Sequence, residues 1–320
     1  MPINLVRYAL DGRVRWGVST ADHIAPLKGD YPDASALIQT GEADWREAAA
    51  RPCALARSSV ELLSPITAPA RIICQGANYR QHMIESGLNP DEKNFNMFFE
   101  KSNCTINSPN GVVRRPRHVA LLDYEIELAL VFRKAISSPV TVTPDNLHEY
   151  VFGLVVANDV SARDVQLPQS QFFKGKSYRG FCPLGPHLAV LDKTDFGYLE
   201  RLDLLLSVNG EPRQRDTTAN LVFKPAETIS ELSTFSNIAP GDILLTGTPS
   251  GCALRAPPPL VRRMMQALLP EKKLWAAFGK AQARRPQYLQ PGDVMTAHIS
   301  SADGAIDLGE QRVTIASSNS

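Results

Sequence analysis

No apolar run in this sequence approaches the roughly 20 residues that a membrane span needs. Its opening, "MPINLVRYALDGRVRWGV", lacks the basic start and uninterrupted apolar stretch of a secretory signal. Neither sign of charge is in excess: 34 Lys and Arg against 33 Asp and Glu leave +1, which gives no electrostatic reason to expect nucleic acid or an acidic membrane as partner. The short basic pieces "VVRRPRH" and "VRRMM" carry no interleaved aromatics of the kind a single-strand groove uses, so both read as solvated surface. Cysteine is sparse and badly placed for bridging: Cys53, Cys74, Cys104, Cys182 and Cys252 are odd in number and never spaced C-x-x-C. That argues against a disulfide framework or zinc ribbon and favours a reducing, cytoplasmic setting in which each thiol is a small buried hydrophobe. There is no internal repeat, and no low-complexity tract beyond a short Ser-rich tail.

What is present is an ordinary core-forming composition, 43% hydrophobic and 21% charged over 320 residues, enough for one large domain or a domain with an appendage. Residues 1–65 read as a small amino-terminal domain, with a hairpin around Asp11-Gly12 and a helical stretch, "DASALIQTGEADWREAAARP", that stops at a proline. Residues 66–320 are dominated by short β-type segments: "ARIICQGAN", "LDYEIELALVF", "VFGLVVANDV", "HLAVLD", "LDLLLSVNG", "DILLTG", "VMTAHIS" and "RVTIAS". Helical stretches are fewer, around 80–87, 161–170 and 225–236. Short strands separated by Gly, Pro and Asn turns predict a mainly β chain with some α (α+β), its sheet rolled or sandwiched and not doubly wound. A proline-entered helical excursion at about 252–290 interrupts the pattern.

Five places carry possible chemistry. In "LDYEIELALV", Glu125 and Glu127 share one face of a strand, where two like charges rest comfortably only in water, beside cations or around a metal ion. A half-exposed edge strand is the plain alternative. Asp159 ends the apolar run of "VFGLVVANDVSARDVQ" and reads as a projecting carboxylate or a helix N-cap, with Arg163 and Gln166 spaced to share its helical face. His82 and Glu85 are three apart, so on one helical turn the carboxylate can orient the imidazole as a general base, although surface helices also carry such pairs by chance. Lys176, in "FFKGKSYRGF", is either a cation aimed into a cleft or an exposed loop lysine. In "PGDILLTGTPSG", Thr248 and nearby amides could bind an anion; without a G-K-[ST] ending, nucleotide binding is excluded.

Taken in order, "GANYRQH", "DYEIEL", "NDVSARDVQ", "GKSY", "NGEPRQ" and "PGDILLTGTPSG" resemble the fumarylacetoacetate hydrolase family over roughly residues 66–251, resuming at "QPGDVMTAHIS". The resemblance implies a mixed β-sandwich roll with a small amino-terminal domain, usually homodimeric. It implies Mg²⁺ or Mn²⁺ held by Glu125, Glu127 and Asp159, a hard-cation ligand set. It places the catalytic pair on His82 and Glu85 with Lys176, and substrate contacts on Arg163, Gln166 and Thr248, with Tyr79 lining the site. The implied substrate is a small keto acid or dicarbonyl. The leading expectation is hydrolytic C–C cleavage of an acylpyruvate or related β-diketo acid by water that His82 and Glu85 activate. The alternative is decarboxylation, isomerisation or keto–enol tautomerisation of an oxo-dicarboxylate such as oxaloacetate.

Overall fold

Ile3–Leu10 and Arg13–Ser19 pair antiparallel across Asp11-Gly12, with Leu10 facing Arg13 and both turn residues at positive φ, 50° and 72°. A two-residue hairpin turn requires that backbone, which glycine adopts freely and aspartate tolerates. This computed structural model describes residues 2–318 other than 21, 53, 94 and 256–269. The helical stretch after the hairpin is two helices, Ala34–Thr40 and Glu42–Ala49, divided at Gly41. Asp33 caps the first by accepting the Ala36 N–H at 2.7 Å, and a Cβ at Gly41 would sit 2.6 Å from the Leu37 carbonyl oxygen.

The strands assemble into two main sheets. The larger has eleven, in the spatial order Leu55–Ala56, His23–Pro26, Arg13–Ser19, Ile3–Leu10, Leu188–Val190, Val151–Asn158, Ile126–Phe132, Ile243–Leu245, Ile72–Gly76 and Met97–Lys101, with Glu61–Leu63 branching from Ile3–Leu10. The second runs Glu211–Thr217, Leu202–Val208, Val294–Ser301, Asp307–Ser317 and Val112–Arg115. Ile243–Leu245 is parallel to Ile72–Gly76, and Asp307–Ser317 to Val112–Arg115, so both sheets are mixed. The fold is a mainly β sandwich roll with some helix. Residues 1–65 join the large sheet where Ile3 pairs with Val190, and keep a small core of their own around Val6, Tyr8, Ile24 and Leu62. Of the excursion, helix Glu271–Gln282 is described, while residues 256–269 lie outside the described residues. Among the described residues no helix is long and apolar enough to cross a membrane.

Strand Ile126–Phe132 lies inside the large sheet, and all seven of its residues are buried. Leu128 and Leu130 face the second sheet's Leu204, Leu206 and Ile299, whereas Ala129 and Val131 pack with Leu37 and Trp45 on the other side. A half-exposed edge is therefore ruled out for Glu127. A carboxylate at that depth needs partners, because leaving water is costly for a charge.

Candidate active site

Register brings the acids together. Ile126–Phe132 pairs antiparallel with Val151–Asn158, setting Glu127 opposite Ala157. Two steps along, the Asp159 N–H donates to the Glu125 carbonyl at 2.8 Å, so Glu125 lies opposite Asp159. Alternation then puts Glu125, Glu127 and Asp159 on one face, with a carboxylate oxygen from each within 4.8 Å of the others. Two details differ from the sequence reading. The strand is broken at 124–125, so Glu125 sits just before it, and Leu122–Asp123 pairs with Ser161–Ala162 instead. Asp159 neither caps nor joins the next helix, which begins at Arg163 behind Ala162.

Three buried cations surround these acids. The Lys176 ammonium donates to Glu125 Oε2 and Asp159 Oδ2, both at 2.6 Å, bridging two of the three acids. The Arg163 guanidinium bonds Glu125, donates from Nε to Asp123 Oδ2 at 2.8 Å, and reaches Gln166 Oε1 at 3.0 Å, which leaves the Gln166 amide N–H groups for a ligand. Lys176 is only 2% exposed and closes the short helix Phe172–Lys176, so it is no loop lysine. The third cation, Lys101, went unrecognised in the sequence. Its ammonium, on the edge strand Met97–Lys101, donates to Asp159 Oδ1 at 2.5 Å. The one signal for it was a lysine closing the apolar run "NMFFEK". Asp123, also buried, accepts from Arg163 and from the backbone N–H groups of Ala253 and Leu254 at 2.7 and 3.1 Å.

Asp123, Glu125, Glu127 and Asp159 make four carboxylates against three cations, Lys101, Arg163 and Lys176, and the unmatched acid is Glu127. Burial would raise the Glu125 carboxyl, but Arg163 and Lys176 outweigh it and hold it down at about 2. Burial, with Asp159 and Glu125 beside it, pushes the Glu127 carboxyl well above the usual range, and its one bond from the Gly247 N–H at 2.7 Å does not offset that. An unmatched buried acid between two others, all oxygen donors, suits a hard dication. Glu125, Glu127 and Asp159 could hold one, and the remaining coordination would fall to water or substrate.

Glu125, Glu127, Arg163 and Lys176 line a cavity of 190 Å³ together with His82, Gln166, Thr248 and the apolar Met97, Phe99, Leu167 and Phe172. That is below the roughly 300 Å³ at which drug-sized pockets begin, so it suits a small acid. Burial lowers the His82 pKa, and Arg163 and Lys176 lower it further, against opposition from Glu125 and Glu85. Glu85 does not hold His82. Its carboxylate pairs with Arg255 Nη1 at 2.7 Å. The Thr248 hydroxyl donates to the Ile126 carbonyl at 2.9 Å and accepts from Gln214 Nε2 at 2.8 Å, which ties its turn to the start of the glutamate strand. Tyr79 is buried away from the cavity lining, its hydroxyl without a hydrogen-bond partner.

A mixed sandwich roll that buries an E-x-E pair, an aspartate and an ordered set of cations defines a class, and the chain belongs to it: it is a member of the fumarylacetoacetate (FAA) hydrolase family, matching the C-terminal domain over residues 71–316. Among curated proteins it is 40% identical to oxaloacetate tautomerase YisK of Bacillus subtilis over 204 residues, 63% of this chain and 66% of that protein. It is 37% identical to the mitochondrial oxaloacetate tautomerase fahd2 of Xenopus laevis over 209 residues, 64% of this chain and 63% of that protein. The chain thus spans just under two thirds of the length of these two relatives. Among solved structures it is similar to a probable 2-hydroxyhepta-2,4-diene-1,7-dioate isomerase from Mycobacterium abscessus, with a TM-score of 0.72 and 30% identity over 100% of both chains.

Proposed function

We propose that this protein is a divalent-metal-dependent enzyme that interconverts the keto and enol forms of an oxo-dicarboxylate such as oxaloacetate. The observation that carries the reading is that His82 lines the same small cavity as Glu125 and Glu127 while Glu85 is engaged elsewhere. Hydrolytic C–C cleavage, the leading expectation from sequence, calls for a His82–Glu85 pair poised to activate water, and here Glu85 is bonded to Arg255. Tautomerisation asks only that one proton move between carbon and oxygen. The names of the two curated relatives support the same choice.

In this reading His82 removes a proton from the carbon between the ketone and the distal carboxylate. The C–H electron pair becomes the C=C bond, and the former carbonyl oxygen takes up the proton. Asp159 and Glu125 outweigh the lowering effect of burial and keep Lys176 protonated, so its ammonium and the Arg163 guanidinium can hydrogen-bond the oxygen on which charge collects. A hard divalent ion, when bound by Glu125, Glu127 and Asp159, would supply Lewis-acid polarisation of the substrate's oxygens.

The test is to give the purified protein, with Mg²⁺ or Mn²⁺, enol-enriched oxaloacetate and separately a panel of acylpyruvates. Enol absorbance of oxaloacetate should decay faster than the uncatalysed rate with no carbon dioxide released, and the acylpyruvates should stay intact. His82→Ala should slow the decay by about 10²–10⁴-fold, the usual weight of a general base, and leave metal affinity unchanged. Carbon dioxide as product, or acid fragments from an acylpyruvate, would replace this reading with decarboxylation or hydrolysis.

A further inference from the structure

Arg255 Nη1 lies 2.7 Å from Glu85 Oε1, which joins the helical excursion to helix Arg80–Glu85, the helix that carries His82. The arginine is held from behind. Buried Gln282, the last residue of helix Glu271–Gln282, donates from Nε2 to the Arg255 carbonyl at 2.8 Å. Its Oε1 accepts the Arg255 N–H at 3.4 Å and the Tyr288 hydroxyl at 2.8 Å. On the other side, the Leu254 N–H is bonded to Asp123 beneath the site, and Leu254 itself lines the cavity. Residues 254–255 are thus pinned at one end to the acidic cluster and at the other to the excursion.

Helix Arg80–Glu85 is tied at its start, where buried Asn78 bonds Phe223 and Thr246 and Arg80 pairs with Asp91, and the Arg255–Glu85 pair holds its far end. Its six residues are far short of the length at which an isolated helix is stable, and Met83 is its one buried residue. The side chains of Arg255 and Glu85 are 46% and 29% exposed, so the pair is only half wet. As a bare surface ion pair it would contribute little. Its consequence lies in where it acts, between a braced backbone and a short helix presenting one functional side chain.

We propose that Arg255 is a positioning residue for His82: anchored by Gln282, it holds Glu85 and so fixes the helix that presents the imidazole to the cavity. The role in turnover rests on the reading of His82 as the group that moves the proton; the tie itself does not. The experiment compares full-length Arg255→Ala, Arg255→Lys and Gln282→Ala with the parent, all with Mg²⁺. It follows hydrogen exchange over residues 79–88, the calorimetric Kd for Mg²⁺, and kcat and KM on enol-enriched oxaloacetate. Arg255→Ala should speed exchange over 79–88 by about fivefold, the weight of one half-exposed ion pair. It should lower kcat by about tenfold through a displaced catalytic group, with KM and the Mg²⁺ Kd within twofold of the parent. Arg255→Lys should restore most of both effects, and Gln282→Ala should reproduce them in weaker form. Unchanged exchange in Arg255→Ala, or a loss of kcat that lysine does not restore, overturns the proposal. A parent enzyme inert on oxaloacetate would sink the tautomerase reading alone, and the exchange measurements would still decide whether Arg255 holds the helix.

Discussion

Glu127 is the residue whose charge the surrounding protein leaves unmatched. Each oxygen of Asp159 has an ammonium, Glu125 has Arg163 and Lys176, and Glu127 has only the Gly247 N–H. Replacing it with glutamine keeps an acceptor for that N–H and removes the unmatched charge. Glu127→Gln should therefore fold as well as the parent without metal, while its Mg²⁺ affinity falls by about 100-fold or more. Because an ion that binds only the folded state stabilises by mass action, the rise in Tm that Mg²⁺ gives the parent should vanish in the variant. Melting curves with and without millimolar Mg²⁺ check both halves, and an undiminished Mg²⁺ shift would remove Glu127 from the ligand set. The acids were legible in the sequence because two carboxylates at period-2 spacing inside an apolar run have few comfortable explanations. Lys101 was not, because its partner Asp159 is 58 residues away and nothing in "FFEKSN" distinguishes a buried lysine from a strand-end one. Glu85 misled for the same reason in reverse: spacing offered it to His82, and a residue 170 positions on, Arg255, holds it instead.

Helices Arg163–Gln169 and Phe172–Lys176 are joined through a left-handed Ser170, φ 57°, and Gly175 packs tightly against Gln166. A Cβ there would lie 2.6 Å from the Gln166 Cβ and 2.7 Å from the Gln166 N, both too short. That contact lets one element supply Arg163 and Gln166 while the next returns Lys176 to the same acids. Gly175→Ala must spread the two helices, an overpacking that costs about 1–3 kcal/mol and draws Lys176 away from Glu125 and Asp159. Urea unfolding should register the loss of stability, and turnover should fall further than in a variant of equal stability altered elsewhere. Equal activity would mean that Lys176 reaches the site without the close approach. The sequence marked "GKSY" for its lysine, but what the glycine does is a contact between helices, which spacing along the chain does not encode. The strands were more legible, since apolar runs bounded by turns announce themselves. Their order in the sheet was not, because Ile243–Leu245 enters between Ile126–Phe132 and Ile72–Gly76 from over 100 residues away.

At the scale of the whole molecule, the opening residues are fastened to the body by more than strand pairing. His187 is buried at the seam, with Arg57 Nη1 3.3 Å from its Nε2 and the Asp307 carbonyl 3.4 Å from its Nδ1. An arginine can only donate and a carbonyl can only accept, so the ring must be neutral with its proton on Nδ1. Burial, and after it the Arg57 charge, pushes the His187 pKa down to about 4, whereas an unfolded histidine titrates near 6.5. Between those values the unfolded chain binds a proton that the folded one refuses. Stability from this group is therefore complete above about pH 6.5 and is lost as the pH falls towards about 4, by on the order of 3 kcal/mol. His298 works in the opposite direction: its bond to Asp307 outweighs burial and raises its pKa, so its contribution is present at low pH and fades as the pH rises through the raised value. A single acid titration of the parent blends the two. His187→Gln separates them, since the amide does not titrate and His298 stays in place. Measured by urea unfolding from pH 7 to pH 4, the stability advantage of the parent over His187→Gln should shrink by on the order of 3 kcal/mol. A difference that stays constant with pH would mean that the seam admits a charged imidazole, and that Arg57 does not hold His187 neutral.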